Sequence, residues 1–132
     1  MDSDQEYKPG ICNMGEREVS VRKKMLAFFT VIMAGFTICC FAYRDSVFSW
    51  LALIASSFAV IVIFLEIRYR FCILFGFFHL YNFRHLGNLD EVQCKEDQRR
   101  DRKRVRRMIM QSLFLSVIYS SIIHMVAMNY SF

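Results

Sequence analysis

The sequence predicts an all-α membrane protein with three transmembrane helices and a short interfacial or re-entrant amphipathic segment. Three observations carry this. Hydrophobic residues fill 55% of 132 positions, with fourteen Phe and a single Pro. They fall into blocks long enough to span a bilayer rather than recurring at helix or strand period. The last block follows directly on RRDRKRVRR, Arg99 to Arg107, a basic cluster of the kind that marks the cytoplasmic end of a span. A soluble domain of this length buries only about 68–70% of its unfolded surface. That is too little to hide so many aromatic and aliphatic side chains, so lipid is the expected solvent.

Each element follows from the residues in order. Residues 1–24 are polar and balanced in charge, with a Lys8-Pro9-Gly10 turn, and read as a flexible cytoplasmic tail. Arg22-Lys23-Lys24 leads into residues 25–43, an uncharged run that forms the first span. A cleaved signal peptide would have a shorter apolar core nearer the N-terminus, so this helix is expected to be retained. Arg44-Asp45-Ser46 is a very short link, which makes the second span, residues 47–65, an antiparallel neighbour of the first. Glu66, Arg68 and Arg70 close it, and Glu66 precedes Arg70 by one helical turn, an orientation worth a few tenths of a kcal/mol.

Residues 71–83, FCILFGFFHLYNF, are too short to cross. As a helix they would extend about 20 Å against a hydrocarbon core of about 30 Å. Lengthening the segment would draw in Arg68 and Arg70 or Arg84, and would move the basic block to the outer side. The expected placement is interfacial or re-entrant, with His79 and Tyr81 near the headgroups; the alternative is a second helix bending out of the membrane. Residues 84–107 form a basic cytoplasmic segment. Asn88 with Glu91 resembles a capping box. No Pro or Gly follows, so one helix is expected from about Leu89 through the third span, residues 108–128, extending it into the cytosol. Residues 129–132 are a short outer-side tail.

Charge then sets orientation. Arg22-Lys23-Lys24, Arg68-Arg70 and Arg99-Arg107 all lie inside only if the N-terminus is cytoplasmic and the C-terminus luminal or extracellular. Asn129-Tyr130-Ser131 is then an outer sequon, but it lies at the membrane face and is expected to carry no glycan. The endoplasmic reticulum and the plasma membrane both fit this layout. Cys12, Cys39, Cys40, Cys72 and Cys94 match no zinc or disulfide pattern; Cys72 and Cys94 fall on the cytoplasmic side near the membrane and are the candidates for palmitoylation.

The net charge of +5 is concentrated beside hydrophobic segments, so anionic lipid is the expected partner and nucleic acid is not. Arg99, Arg100, Arg102, Lys103, Arg104, Arg106 and Arg107 are the candidate headgroup contacts. The second span carries small residues at Ser49, Ala52, Ala55, Ser56 and Ala59, of which Ala52 with Ser56 and Ala55 with Ala59 form small-xxx-small pairs. Ser112, Ser116, Ser120 and His124 form a polar stripe in the third. Both sets are expected to pack helix on helix, although an ionisable residue inside a span is also a functional candidate. No catalytic or cofactor-binding motif is visible, and no metal-ligand spacing.

These features fit a non-enzymatic accessory or scaffold subunit of a larger membrane complex, such as a channel, transporter or lipid-handling assembly. A self-assembling pore or proton path lined by the Ser/His stripe is the first alternative. An interfacial lipid-modifying enzyme using His79 or His85 is the second.

Overall fold

The computed structural model describes residues 7–81 and 90–130. Its elements are α1 (Glu16–Ala42), α2 (Val47–Tyr69), α3 (Ile73–Phe77), β1 (Leu80–Tyr81), β2 (Asp90–Glu91) and α4 (Lys95–Asn129). Helices α1, α2 and α4 are each long and apolar enough to cross a membrane. Long apolar runs without Pro favour helix, because a helix satisfies its own backbone where no water can. Helix α2 occupies the middle, packed against α1 on one side and α4 on the other. The link between α1 and α2 is a tight turn in which the Ser46 N–H donates to the Tyr43 carbonyl at 3.0 Å.

Helix α1 begins at Glu16 rather than at Met25, so residues 16–24 are not the flexible tail that their polarity suggested. Glu16 and Glu18 stand in its first turn, where carboxylates favour the positive end of the helix dipole. Val19 supplies the packing, in a buried cluster with Met14 and Cys72. Residues 7–15 are held in place as well, folded across the basic end of the bundle. Residues 1–6 lie outside the described residues.

Helix α2 ends at Arg70, which adopts the left-handed conformation with φ 51° and ψ 39°. That residue turns the chain out of the α2 axis, so the following segment is not a continuation of α2. It forms the single short turn α3 and then β1, and β1 pairs antiparallel with β2 in the register Leu80↔Glu91 and Tyr81↔Asp90. Residues 82–83 of the expected interfacial segment lie outside the described residues.

Helix α4 is continuous over 35 residues. At 1.5 Å per residue it is about 52 Å long, well beyond a hydrocarbon core of about 30 Å. It starts at Lys95, capped by the backbone of Cys94, and not near Leu89. Glu91, expected to complete a capping box, is instead in β2, and Asn88 lies outside the described residues. The real start is supported by Glu96 and Asp97 in the first turn and by Gln98, whose Nε2 donates to the Val92 carbonyl at 2.8 Å.

The buried face of α4 runs Asp101, Val105, Met108, Ser112, Ser116, Ser120 and Ala127, one side chain per turn over most of its length. Its apolar part joins Leu65 and Phe71 in one cluster, on which Ile61 and Ile73 rest. Gly76 lets α3 come close to this cluster. A Cβ there would stand 2.7 Å from both Phe71 Cζ and Val105 Cγ2, a clash with a fully buried ring and a short branched side chain. Gly76→Ala should therefore destabilise the fold by about 1–3 kcal/mol, the usual cost of overpacking. Thermal unfolding in detergent reads this as a lowered Tm, and an unchanged Tm contradicts the docking of α3 on α4.

Candidate functional site

Where the apolar run of α2 ends, Glu66 turns inward and is 5% exposed. Its Oε2 lies 3.3 Å from Arg22 Nε on α1, and its Oε1 accepts the Ile73 N–H of α3 at 3.0 Å. The Nε–H of Arg22 is not aimed at an acceptor, so this contact is an ion pair without a hydrogen bond. Arg22 Nη2 points the other way, donating to Cys72 Sγ at 3.1 Å. One carboxylate and one guanidinium thus join α1, α2 and the start of α3.

Asn13 completes the junction by acting as a short piece of backbone. Its Oδ1 accepts the Cys72 N–H at 2.7 Å and its Nδ2 donates to the Cys72 carbonyl at 3.2 Å. The N–H groups of Asn13 and Met14 both donate to the Arg70 carbonyl, at 3.1 and 3.2 Å. These bonds satisfy backbone groups that the left-handed turn at Arg70 releases from the helix, which would otherwise be buried unpaired.

A second anchor lies on α4. Asp101, fully buried, accepts the Tyr7 hydroxyl at Oδ2 (2.7 Å) and the Gly10 N–H at Oδ1 (2.6 Å). Gly10 sits at φ 68°, and a Cβ on it would meet the Arg100 carbonyl oxygen at 3.2 Å, so glycine suits both the conformation and the approach. Residues 7–15 therefore form a strap from the basic helix to α1, fixed to Asp101 at one end and to residues 70–72 at the other.

The two non-basic residues of the Arg99–Arg107 block are the ones that face the bundle. Asp101 and Val105 are buried, one turn apart, and the basic residues surround them. Arg104, on one flank, stacks over the Tyr69 ring at 4.3 Å and its Nε is buried. Arg102, on the other flank, brings Nη2 to 3.3 Å from His79 Nε2. Arg100 pairs with Glu96 at 2.9 Å. Arg99, Lys103, Arg106 and Arg107 are exposed, so of the seven candidate headgroup contacts Arg104 is the one held in packing. His79 has φ 59°, an uncommon value for a side chain with a Cβ, and its carbonyl accepts the Val92 N–H at 2.8 Å. Its Nδ1 is buried without a partner.

Farther along the bundle, Ser112, Ser116 and Ser120 are fully buried. Ser120 Oγ lies 3.2 Å from Ser57 Oγ on α2, which joins the two helices through hydroxyls. Ser116 Oγ donates to the Leu113 carbonyl of its own helix, while Ser112 Oγ is buried with no partner. His124 stands at the other end of the stripe, with Nδ1 3.9 Å from Cys40 Sγ and its ring 6.0 Å from that of Trp50. Of the small residues on α2, Ser56 is buried, Ser49, Ala52 and Ala59 are half-buried, and Ala55 is exposed. Ser57, absent from the small-xxx-small pairs, makes the contact across to α4.

The sequence pairing of Glu66 with Arg70 is replaced by a longer-range arrangement. Glu66 pairs with Arg22, and Arg70 instead reaches Glu16 on α1 at 3.3 Å in an exposed pair. The left-handed turn at Arg70 causes this, because it removes Arg70 from the helical register that the i, i+4 pairing needs. Among the described residues no group of three His, Cys, Asp or Glu side chains is placed to hold a metal ion. Cys72 is fully buried and Cys94 is exposed, so of the two candidates for acylation only Cys94 is accessible. Burial pushes the Cys72 thiol above its usual range and the Glu66 carboxylate adds to this; Arg22 pulls the other way.

Two predictions follow from this junction. Removing one charge strands the other, so Arg22→Met and Glu66→Gln should each cost about 3–5 kcal/mol. The double variant should cost less than their sum, and additive losses in detergent unfolding would show that the two groups are not coupled. A thiol held neutral and covered reacts slowly. A water-soluble maleimide should therefore modify Cys94 early and Cys72 late, and Asn13→Ala should speed modification of Cys72; equal rates at the two positions contradict the covered junction.

The chain matches no protein family, and neither a curated protein nor a solved structure is similar to it.

Proposed function

We propose that this protein is a small multi-pass accessory subunit of a larger membrane complex, with no catalytic role of its own. The observation that carries this is how few residues of the apolar runs the chain buries fully by itself. Only 6% of the residues in the apolar stretch of α1 are fully buried, against 22% for α2 and 17% for α4. That leaves broad helix faces able to receive partner helices through packing and interhelical hydrogen bonds. The polar junction adds a mechanical argument. The strap and the Arg22–Glu66 pair tie the basic helix to the other two, so a partner that holds the basic end of α4 also positions the spans.

In this reading the basic end is cytoplasmic, in the endoplasmic reticulum or the plasma membrane, and anionic lipid lies against it. The N-terminus is cytoplasmic, the C-terminus is on the luminal or extracellular side, and α3 lies at the membrane surface. The channel, transporter or lipid-handling assembly that such a subunit serves is defined by what it holds. Purification of a tagged full-length chain in mild detergent should recover membrane proteins in stoichiometric amounts. Single replacements on the exposed face of α1, such as Phe28→Ala or Ile38→Ala, should reduce that recovery without lowering Tm. A clean monomer, under conditions that keep other membrane complexes intact, overturns the accessory role.

A further inference from the structure

We infer that α3 is a wedge seated in an anionic lipid leaflet, with Leu74, Phe77 and Phe78 in the acyl boundary and Arg102 and Arg106 on the phosphates above them. The inference rests on the reading that the three long helices span a membrane. It names the chemistry of what covers one surface that this reading leaves open.

The first observation is an apolar surface that lies outside the three long helices. Leu74, Phe77 and Phe78 are 59%, 61% and 60% exposed. Leu74 and Phe77 lie i and i+3 on one side of the short helix, and Phe78 caps it, its N–H donating to the Leu74 carbonyl. The rings of Phe77 and Phe78 meet edge to face with centroids 5.2 Å apart, which joins them into one bulky tip. Water is a costly neighbour for such an apolar surface, and acyl chains would cover it.

The second observation is height. The inner side of α3 rests on Phe71, Val105 and Met108, with Gly76 against Phe71 and Val105 and Ile73 packed on the same cluster. Val105 and Met108 are the residues at which α4 changes from its basic block to its apolar run. The helix is therefore docked at the level where headgroups meet acyl chains. With no room at Gly76 for a Cβ, it is held at that level by close contact.

The third observation is charge. Arg102 brings Nη2 to His79 Nε2, and His79 directly follows Phe78, so a guanidinium stands beside the aromatic tip. Arg106 is exposed one turn further along the same helix, toward the apolar run. Aromatic side chains in the boundary with arginines at the phosphates are the arrangement of an interfacial anchor, and it is selective for anionic lipid.

The test uses the full chain carrying Trp50→Phe and Phe78→Trp, reconstituted into phosphatidylcholine vesicles with and without phosphatidylserine. Lipid brominated near the headgroup end of the acyl chain should quench the new Trp strongly, and aqueous acrylamide weakly. Phosphatidylserine should deepen the bromolipid quenching, and Arg102→Gln with Arg106→Gln should remove that dependence. A water-exposed emission maximum with strong acrylamide quenching overturns the wedge, and quenching that is equal with and without phosphatidylserine overturns its anionic selectivity. Reconstitution of the chain alone separates this result from the accessory role, which co-purification tests; failure of all three long helices to insert would show as loss of vesicle-associated protein.

Discussion

A carboxylate at the end of an apolar helix must be solvated, protonated or paired, and Glu66 is paired with Arg22 while it accepts the backbone N–H of Ile73. This one group is shared by three elements. It determines where α3 can start, because its second oxygen is what the first N–H of that helix finds. It also determines how far α1 must extend as a helix below its apolar run, because Arg22 has to reach it. Burial makes the arrangement costly to break on one side only: an isolated charge in such a place has no water to turn to. The strap and the basic helix are built around this fixed point through Asn13 and Asp101.

The basic block gains a different meaning from the same geometry. Read as composition, Arg99 to Arg107 is a cluster of positive charge interrupted twice. In the fold the interruptions are the inward face. Asp101 takes the strap and Val105 takes α3, while Arg102 and Arg104 clamp the two flanks against His79 and Tyr69. The block is thus a helix with a specific inside. Arg99, Lys103, Arg106 and Arg107 are exposed, and Arg102 stays exposed beside His79, so its guanidinium is still open on its outer side. Exposed charge and inward packing thus come from different residues of a single nine-residue stretch.

The apolar runs at 47–65 and 108–128 lie inside α2 and α4, and that at 25–43 lies inside α1 except for Tyr43, which caps it; they were legible because length and hydropathy alone define them. Helix starts were not, because α1 and α4 continue through charged stretches rich in Glu, Arg and Lys, which are good helix formers and leave no compositional edge. The departure of residues 71–83 from α2 was legible in outline, from its length and flanking charges. The left-handed turn at Arg70 that produces it was not, since Arg carries no signal for that conformation. Asp101 and Val105, spaced as i and i+4 inside the basic block, were a readable sign of a buried face. Asn13 against Cys72 was not readable: the residues are 59 positions apart and meet only because the strap closes. Ser120 was readable as a packing residue, but its partner Ser57 depended on a register that no local pattern specifies.

The central claim is that the Arg22–Glu66 junction is a rigid part of the molecule rather than a loose connection below the long helices. Hydrogen exchange at single-residue resolution tests it most directly. The amides of Asn13, Met14, Cys72 and Ile73 all lie outside the long helices, and each donates to a group of the junction. The account predicts that they exchange as slowly as amides in the middle of α2. Exchange at the rate of an open loop, while α2 remains protected, would contradict it.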